Sequence, residues 1–237
     1  MSIEVRRFDD LGHADFGWLD AHHHFSFGQY FDPDRMQVGP LRVWNDDTIQ
    51  PGTGFPAHPH RDMEIITYVR QGAITHRDSL GNEGRTVAGD IQVMSAGTGI
   101  MHSEYNLEDE PTQIFQIWII PRTEGRQPRW ETRPFPKGDD AGTLRPLASG
   151  RRDVVGAAPI DQDATLFAGT LPAGGQVTQR IGKDRQAYLV LARGRVSIDG
   201  VAVGPRDGVI LRDVDLLTMD VLEEAEVILA DLPSREL

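Results

Sequence analysis

The stretch "GTGFPAHPHRDMEIITYV" (residues 52–69) decides how the chain is read. It carries a Gly-rich turn into His58 and His60, two residues apart, and then into the apolar run "EIITYV". On a strand, residues i and i+2 face the same side, so both imidazoles aim at one point. A second stretch, "SAGTGIMHSEYN" (95–106), is built alike: glycine turns, then His102 and Glu104, again two apart. If the two strands face each other in one barrel, three neutral imidazoles and a carboxylate meet. Such a set suits a divalent first-row metal and leaves positions open for a substrate, as a catalytic site requires.

Working outward, short runs bounded by turn residues dominate, and helical periodicity is scarce. "EIITYV" (64–69), "DIQVMS" (90–95), "QIFQIWII" (113–120), "AYLVLA" (187–192), "RVSIDG" (195–200), "GVILRD" (208–213) and "AEVILADL" (225–232) read as strands. Many short strands with Gly turns predict an all-β sandwich or barrel. Between about 121 and 175 the composition turns rich in Pro, Gly and charge, with little strand signal, so the domain connection is expected there. The flanks resemble each other weakly: "TYVRQGAITHRDSLGNEGRTVAGDIQVM" and "LVLARGRVSIDGVAVGPRDGVIL" both run strand, Gly turn, short strand, turn, strand. An internal duplication is expected, with domains at 1–130 and 131–237. All eight histidines lie at or before position 102, and the second half has Arg180 and Gly182 where the first has His58 and His60. Only the first domain can hold a metal through histidine.

Composition bounds the function. The chain has 237 residues, 39% hydrophobic and 25% charged, which suits a folded protein with a real core. The net charge of -12 repels nucleic acid phosphates and anionic headgroups, so neither is expected as a partner. The arginines at 122, 126, 129, 133, 151 and 152 read as solvated loop charges. With no cysteine there is no thiolate nucleophile and no Cys-ligated metal. The N-terminal residues lack the apolar core of a signal peptide, and no stretch reaches the ~20 apolar residues of a membrane helix. A cytoplasmic protein is expected.

Two spacings carry a family resemblance. Gly52, His58, His60 and Glu64 form G-x5-H-x-H-x3-E; Gly89, Ser95, Gly97, His102 and Asn106 form G-x5-S-x-G-x4-H-x3-N. Both resemble the cupin motifs. More closely, "HHFSFGQYFDPDRMQVGPLRVWNDD", "HPHRDMEIITYV" and "SAGTGIMHSEYN" are similar to the pirins, in particular the bacterial pirin-like bicupins, densely over residues 10–125. The resemblance implies two tandem cupin (jelly-roll) β-barrels with metal only in the N-terminal one. It implies His58, His60, His102 and Glu104 as ligands of a divalent transition metal, Fe(II) foremost, with Mn, Ni, Cu, Co or Zn as alternatives. The chain departs from the general cupin pattern at Ser95, where proline is usual, in an extra residue before His102, and in using Glu104 rather than Glu64 as the carboxylate. These departures fit pirins.

Some pirins oxidise flavonols, which implies a quercetin 2,3-dioxygenase-like reaction: the metal acidifies the 3-hydroxyl, Glu104 takes its proton, dioxygen adds, and the ring opens with loss of CO. The alternative is a non-enzymatic metal-binding, redox-sensing regulator that docks a protein partner; a cupin-type isomerase is a third reading. A monomer is expected. Gly97 and Gly99 are expected at the cavity mouth, with at most one or two of Phe25, Phe27, Tyr30, Phe31 and Trp44 touching ligand and the rest in the core. Glu64 is expected as an outer partner of the metal, His76 as an exposed strand residue, and His22, His23 and His24 on the wall or rim of the first barrel rather than on the metal.

Overall fold

The computed structural model describes residues 2–134 and 141–234. Apart from a 3-10 turn at Phe8–Asp10, its regular structure is β-strand. The first half contributes β1 (Ser2–Arg6), β2 (Gly12–Asp15), β3 (Leu19–His23), β4 (Leu41–Ile49), β5 (Gly54–His60), β6 (Glu64–Gln71), β7 (Ala73–Asp78), β8 (Glu83–Val87), β9 (Asp90–Ser95), β10 (Ile100–Tyr105), β11 (Thr112–Ile119) and β12 (Arg129–Pro134). The second contributes β13 (Arg145–Ser149), β14 (Ala158–Pro159), β15 (Thr165–Leu171), β16 (Gln176–Arg180), β17 (Arg185–Ile198), β18 (Val201–Val203), β19 (Gly208–Arg212) and β20 (Leu216–Pro233).

The first barrel packs a seven-stranded sheet, β12-β9-β6-β11-β4-β3-β2, against a four-stranded sheet, β5-β10-β7-β8. The second is built on β19-β17-β20-β15-β13-β14, with β16 and β18 alongside, and β1 crosses over to pair with β19. The two-barrel, all-β architecture expected from the strand pattern is present. Alternation along the central strands explains how the barrels join. On β11, Phe115, Ile117 and Ile119 enter the apolar cluster shared with Tyr188, Val190 and Ile228 of the second barrel. The intervening Gln116 and Trp118 face the interior cavity of the first. One strand thus serves the inter-barrel core and the site at once, because its side chains alternate. Each fully buried Phe, Leu or Ile in that core contributes ~1.5–3 kcal/mol.

Two strand expectations are corrected. "AYLVLA" and "RVSIDG" are one strand, β17, which bends through register shifts at Arg193 and Arg195. Gly194, at φ +82, sits at that bend against the Glu224 carbonyl, where a Cβ would collide; the bulge bends the strand without ending it. The segment 121–175 holds β12 to β15, with 135–140 outside the described residues. Its β12 pairs with β9 as a sheet edge, and its charged, half-exposed "RWETRP" hides the strand signal because edges are built from such residues.

Candidate metal centre

His58 and His60 stand on one face of β5, as their spacing requires, and β10 brings His102 directly opposite His58. A bulge between His102 and Glu104 shifts the register, re-aiming the end of β10. The donor nitrogens of His58, His60 and His102 lie within 4.8 Å of one another, with the Nε2 atoms of His58 and His102 3.1 Å apart.

For His58 and His102, the hydrogen bonds assign which ring nitrogen is free. His58 Nδ1–H donates to the Pro56 carbonyl at 2.7 Å, leaving Nε2 bare. A chain of three residues does the same for His102. Burial works against ionisation of Asp78, but hydrogen bonds from Asn82 and His76 hold its carboxyl below the usual range. Asp78 therefore accepts from His76 Nε2–H at 3.0 Å. That leaves His76 Nδ1 to accept from His102 Nδ1–H at 3.4 Å, so His102 Nε2 is also bare. Burial, with the neighbouring imidazoles adding, pushes His60 down to about 4 and His102 down to about 3. Both are neutral at pH 7. Bare lone pairs facing each other at this range repel, and a cation between them removes the repulsion. The donor set thus fits a divalent transition ion.

Glu104 is fully buried beside this cluster, its oxygen within 4.8 Å of the His76 and His102 donors. Its Oε1 accepts from Thr67 and Gln92, while Oε2 accepts only from Gln116, at 2.6 Å. Oε2 keeps a lone pair. His58, His60 and Glu104 border a cavity of about 700 Å³, within the size range of small-molecule sites. Its walls include Phe27, Tyr30, Phe55 and Trp118, and Trp118 stands edge-on to His60 at 4.9 Å.

Residues 4–119 match the pirin family model, and residues 147–232 match that of the quercetinase C-terminal cupin domain. A pirin-like protein of Caulobacter vibrioides is 58% identical over 229 residues, covering 97% of this chain and 99% of the relative. The chain belongs to the pirin family. A quercetin 2,3-dioxygenase of Escherichia coli K12 is 42% identical over 234 residues, covering 98% of this pirin and 99% of the relative. The bacterial pirin YhhW of Escherichia coli, solved in complex with nickel(II), superposes with a TM-score of 0.92 at 40% identity, covering 99% of this chain and all of that one (100%).

Several sequence expectations shift in this pirin. His76, expected on the surface, is fully buried, stacked on Trp130 at 4.8 Å and aimed at His102. Packing decides this: β7 is a central strand of the small sheet, and Trp130 of β12, in the large sheet, covers its inward face. Glu64 shares the face of Ile66 and Tyr68, opposite to Thr67, and so points away from the cluster; it accepts from Ser95 Oγ at 2.5 Å. Ser95, standing where cupins usually have proline, thus has a partner of its own. Gly97 and Gly99 lie outside the cavity lining. Of the five aromatics, Phe27 and Tyr30 line the cavity, Phe25 and Trp44 are core, and Phe31 is exposed.

The three adjacent histidines go to three places. His23 lines the cavity and bonds Asn45; His24 is buried at the barrel interface, 2.8 Å from the Tyr188 hydroxyl; His22 stacks outside on His13. Sequence reasoning also missed Asp47. It is buried in the cavity wall with Oδ1 lacking any hydrogen-bond partner, and burial, with Asp46 adding, holds its carboxyl well above the usual range.

Proposed function

We propose that this pirin is a metal-dependent dioxygenase that opens the ring of a flavonol such as quercetin, incorporating both atoms of O2 and releasing CO. The observation that carries the reading is the convergence of the His58, His60 and His102 donors, with Glu104 against His102, beside one large, aromatic-lined cavity that His58, His60 and Glu104 border. The names of the relatives support it. His58, His60, His102 and Glu104 are assigned as the ligands, and Fe(II) as the native ion. When bound, the ion supplies Lewis acidity to the substrate's enol oxygen.

The chain's own residues do the rest. Gln92, Thr67 and Gln116 hold the Glu104 carboxylate in one orientation, leaving Oε2 as its free acceptor. That atom is offered to the ion, or to the proton of the enol hydroxyl when substrate is present. Phe27, Tyr30 and Trp118 give apolar faces that receive a planar ring system and exclude water. His58 and His102 present their Nε2 atoms to each other across the site, 3.1 Å apart.

The test is oxygen uptake and CO release by the Fe(II)-loaded protein with quercetin. Equimolar O2 consumption and CO release are expected, and Glu104→Gln should abolish both. A metal-loaded protein that consumes no oxygen with any flavonol ends the dioxygenase reading.

A further inference from the structure

Away from the barrel centre, one more set of metal-type donors meets among the described residues. In the antiparallel pair β2–β3, His13 stands directly opposite His22, and Asp20, two residues before His22, shares its face. The donor atoms of the three lie within 4.8 Å of one another. His13 Nε2 is 3.0 Å and His22 Nδ1 3.4 Å from the same oxygen, Asp20 Oδ1. Two donors sharing an ion at bonds of about 2.0–2.2 Å lie roughly 2.9–3.6 Å apart. Both spacings therefore already suit a common ion.

His22 adds an independent observation. Its Nδ1 is closed off from solvent and makes no hydrogen bond. The ring is sandwiched between Phe8, at 4.4 Å, and His13, at 4.5 Å, which holds that nitrogen toward Asp20. The other carboxylate beside it, Asp46, stands across from His22 on β4 but is already taken by Arg70 and Arg206. A nitrogen closed off from solvent that makes no hydrogen bond, its nearest partner a carboxylate oxygen at 3.4 Å, costs free energy that a bound cation would recover.

We propose that His13, Asp20 and His22 form a second divalent transition-metal site at the rim of the cavity. Two imidazoles and one carboxylate select borderline ions such as Zn(II), Ni(II) or Cu(II) over Mg(II) and Ca(II), which demand oxygen ligands. Three protein donors leave at least one position to water. His13 also lines the cavity, together with Ala14, Leu19 and Ala21 of the same two strands. An ion here clamps β2 to β3 and so stiffens that wall. The site stands apart from the proposed dioxygenase activity.

The test is calorimetric titration of the metal-stripped full-length protein with Ni(II), with bound metal measured by elemental analysis. His13 and Asp20 side chains are about half exposed (51% and 47%), so a His13→Ala/Asp20→Asn double variant leaves the core untouched. This variant is expected to lose one binding event, weakening it by more than the roughly 10-fold that even an outer partner of a metal is worth. The same event should persist in His60→Ala and be absent from titrations with Mg(II). An isotherm unchanged in the double variant overturns the proposal, as does loss of every event in His60→Ala. An event lost in His60→Ala alone belongs to the barrel centre, so failure of that centre is distinguishable from failure of this one.

Discussion

Gln116 donates its side-chain amide to Glu104 Oε2 at 2.6 Å, reaching from the large sheet of the first barrel to the small one. The same side chain accepts from Trp118 Nε1 at 3.1 Å, so it ties the carboxylate to an aromatic cavity wall. Gln116→Leu keeps the volume and removes both bonds. Oxygen uptake with quercetin should fall about 10–100-fold, the usual effect of losing a partner that orients a metal-site group. Elemental analysis should show metal still bound.

His76 acts on the centre through His102. His76→Phe preserves the stacking on Trp130 and removes the acceptor that fixes the His102 tautomer. Calorimetry with Ni(II) should show affinity for the barrel centre falling about 10–100-fold. Asp78→Asn should move it the same way by less, since the amide still occupies the place of the carboxylate. Thermal melts of the metal-free proteins should differ little if the role is positioning rather than packing.

Asp47 makes stability depend on pH. The folded chain retains the Asp47 proton where the unfolded chain, with a carboxyl pKa of 3.8, has released it. Folding therefore takes up a proton over that window, and stability falls as pH rises from 3.8 toward the raised folded value. Asp47→Asn has nothing to release. Its Tm should match the wild type near pH 4 and exceed it at pH 8, by about 2–4 °C for each kcal/mol regained. A wild type with no such relative loss would refute the burial argument.

The barrel interface has no room at Gly208. A Cβ there would run into the Tyr188 hydroxyl and come within 2.7 Å of His24 Nδ1. Gly208→Ala should cost about 1–3 kcal/mol by overpacking, read from denaturant unfolding. Adding Tyr188→Phe removes the struck oxygen, so the double variant should be more stable than the sum of the single effects.

How much was legible in the sequence follows from which physical rule each residue obeys. The period of two placed His58 beside His60, and turn residues bounded most strands, so the all-β class and the histidine pairs could be read directly. Glu104 could be named from spacing and family resemblance, but its cradle could not, since Thr67, Gln92 and Gln116 come from three strands whose registers are set by long-range pairing. His76 was misread because burial of a strand face depends on which sheet covers it. Glu64 was misread because its strand's inward face is decided by Thr67 and Val69 meeting the barrel interior while Ile66 and Tyr68 meet the second barrel.

The adjacent histidines show the division most plainly. By itself, the sequence determined that neighbouring side chains on a strand must part, because successive Cβ atoms point to opposite faces. Only tertiary structure decided what each would meet. His23 meets the cavity because β3 closes one wall of the first barrel. His24 meets Tyr188 because the second barrel packs there, and His22 meets His13 and Asp20 because the β2–β3 register sets them opposite one another. Local periodicity is a property of the backbone; the partner on each face is a property of chain segments far apart in sequence.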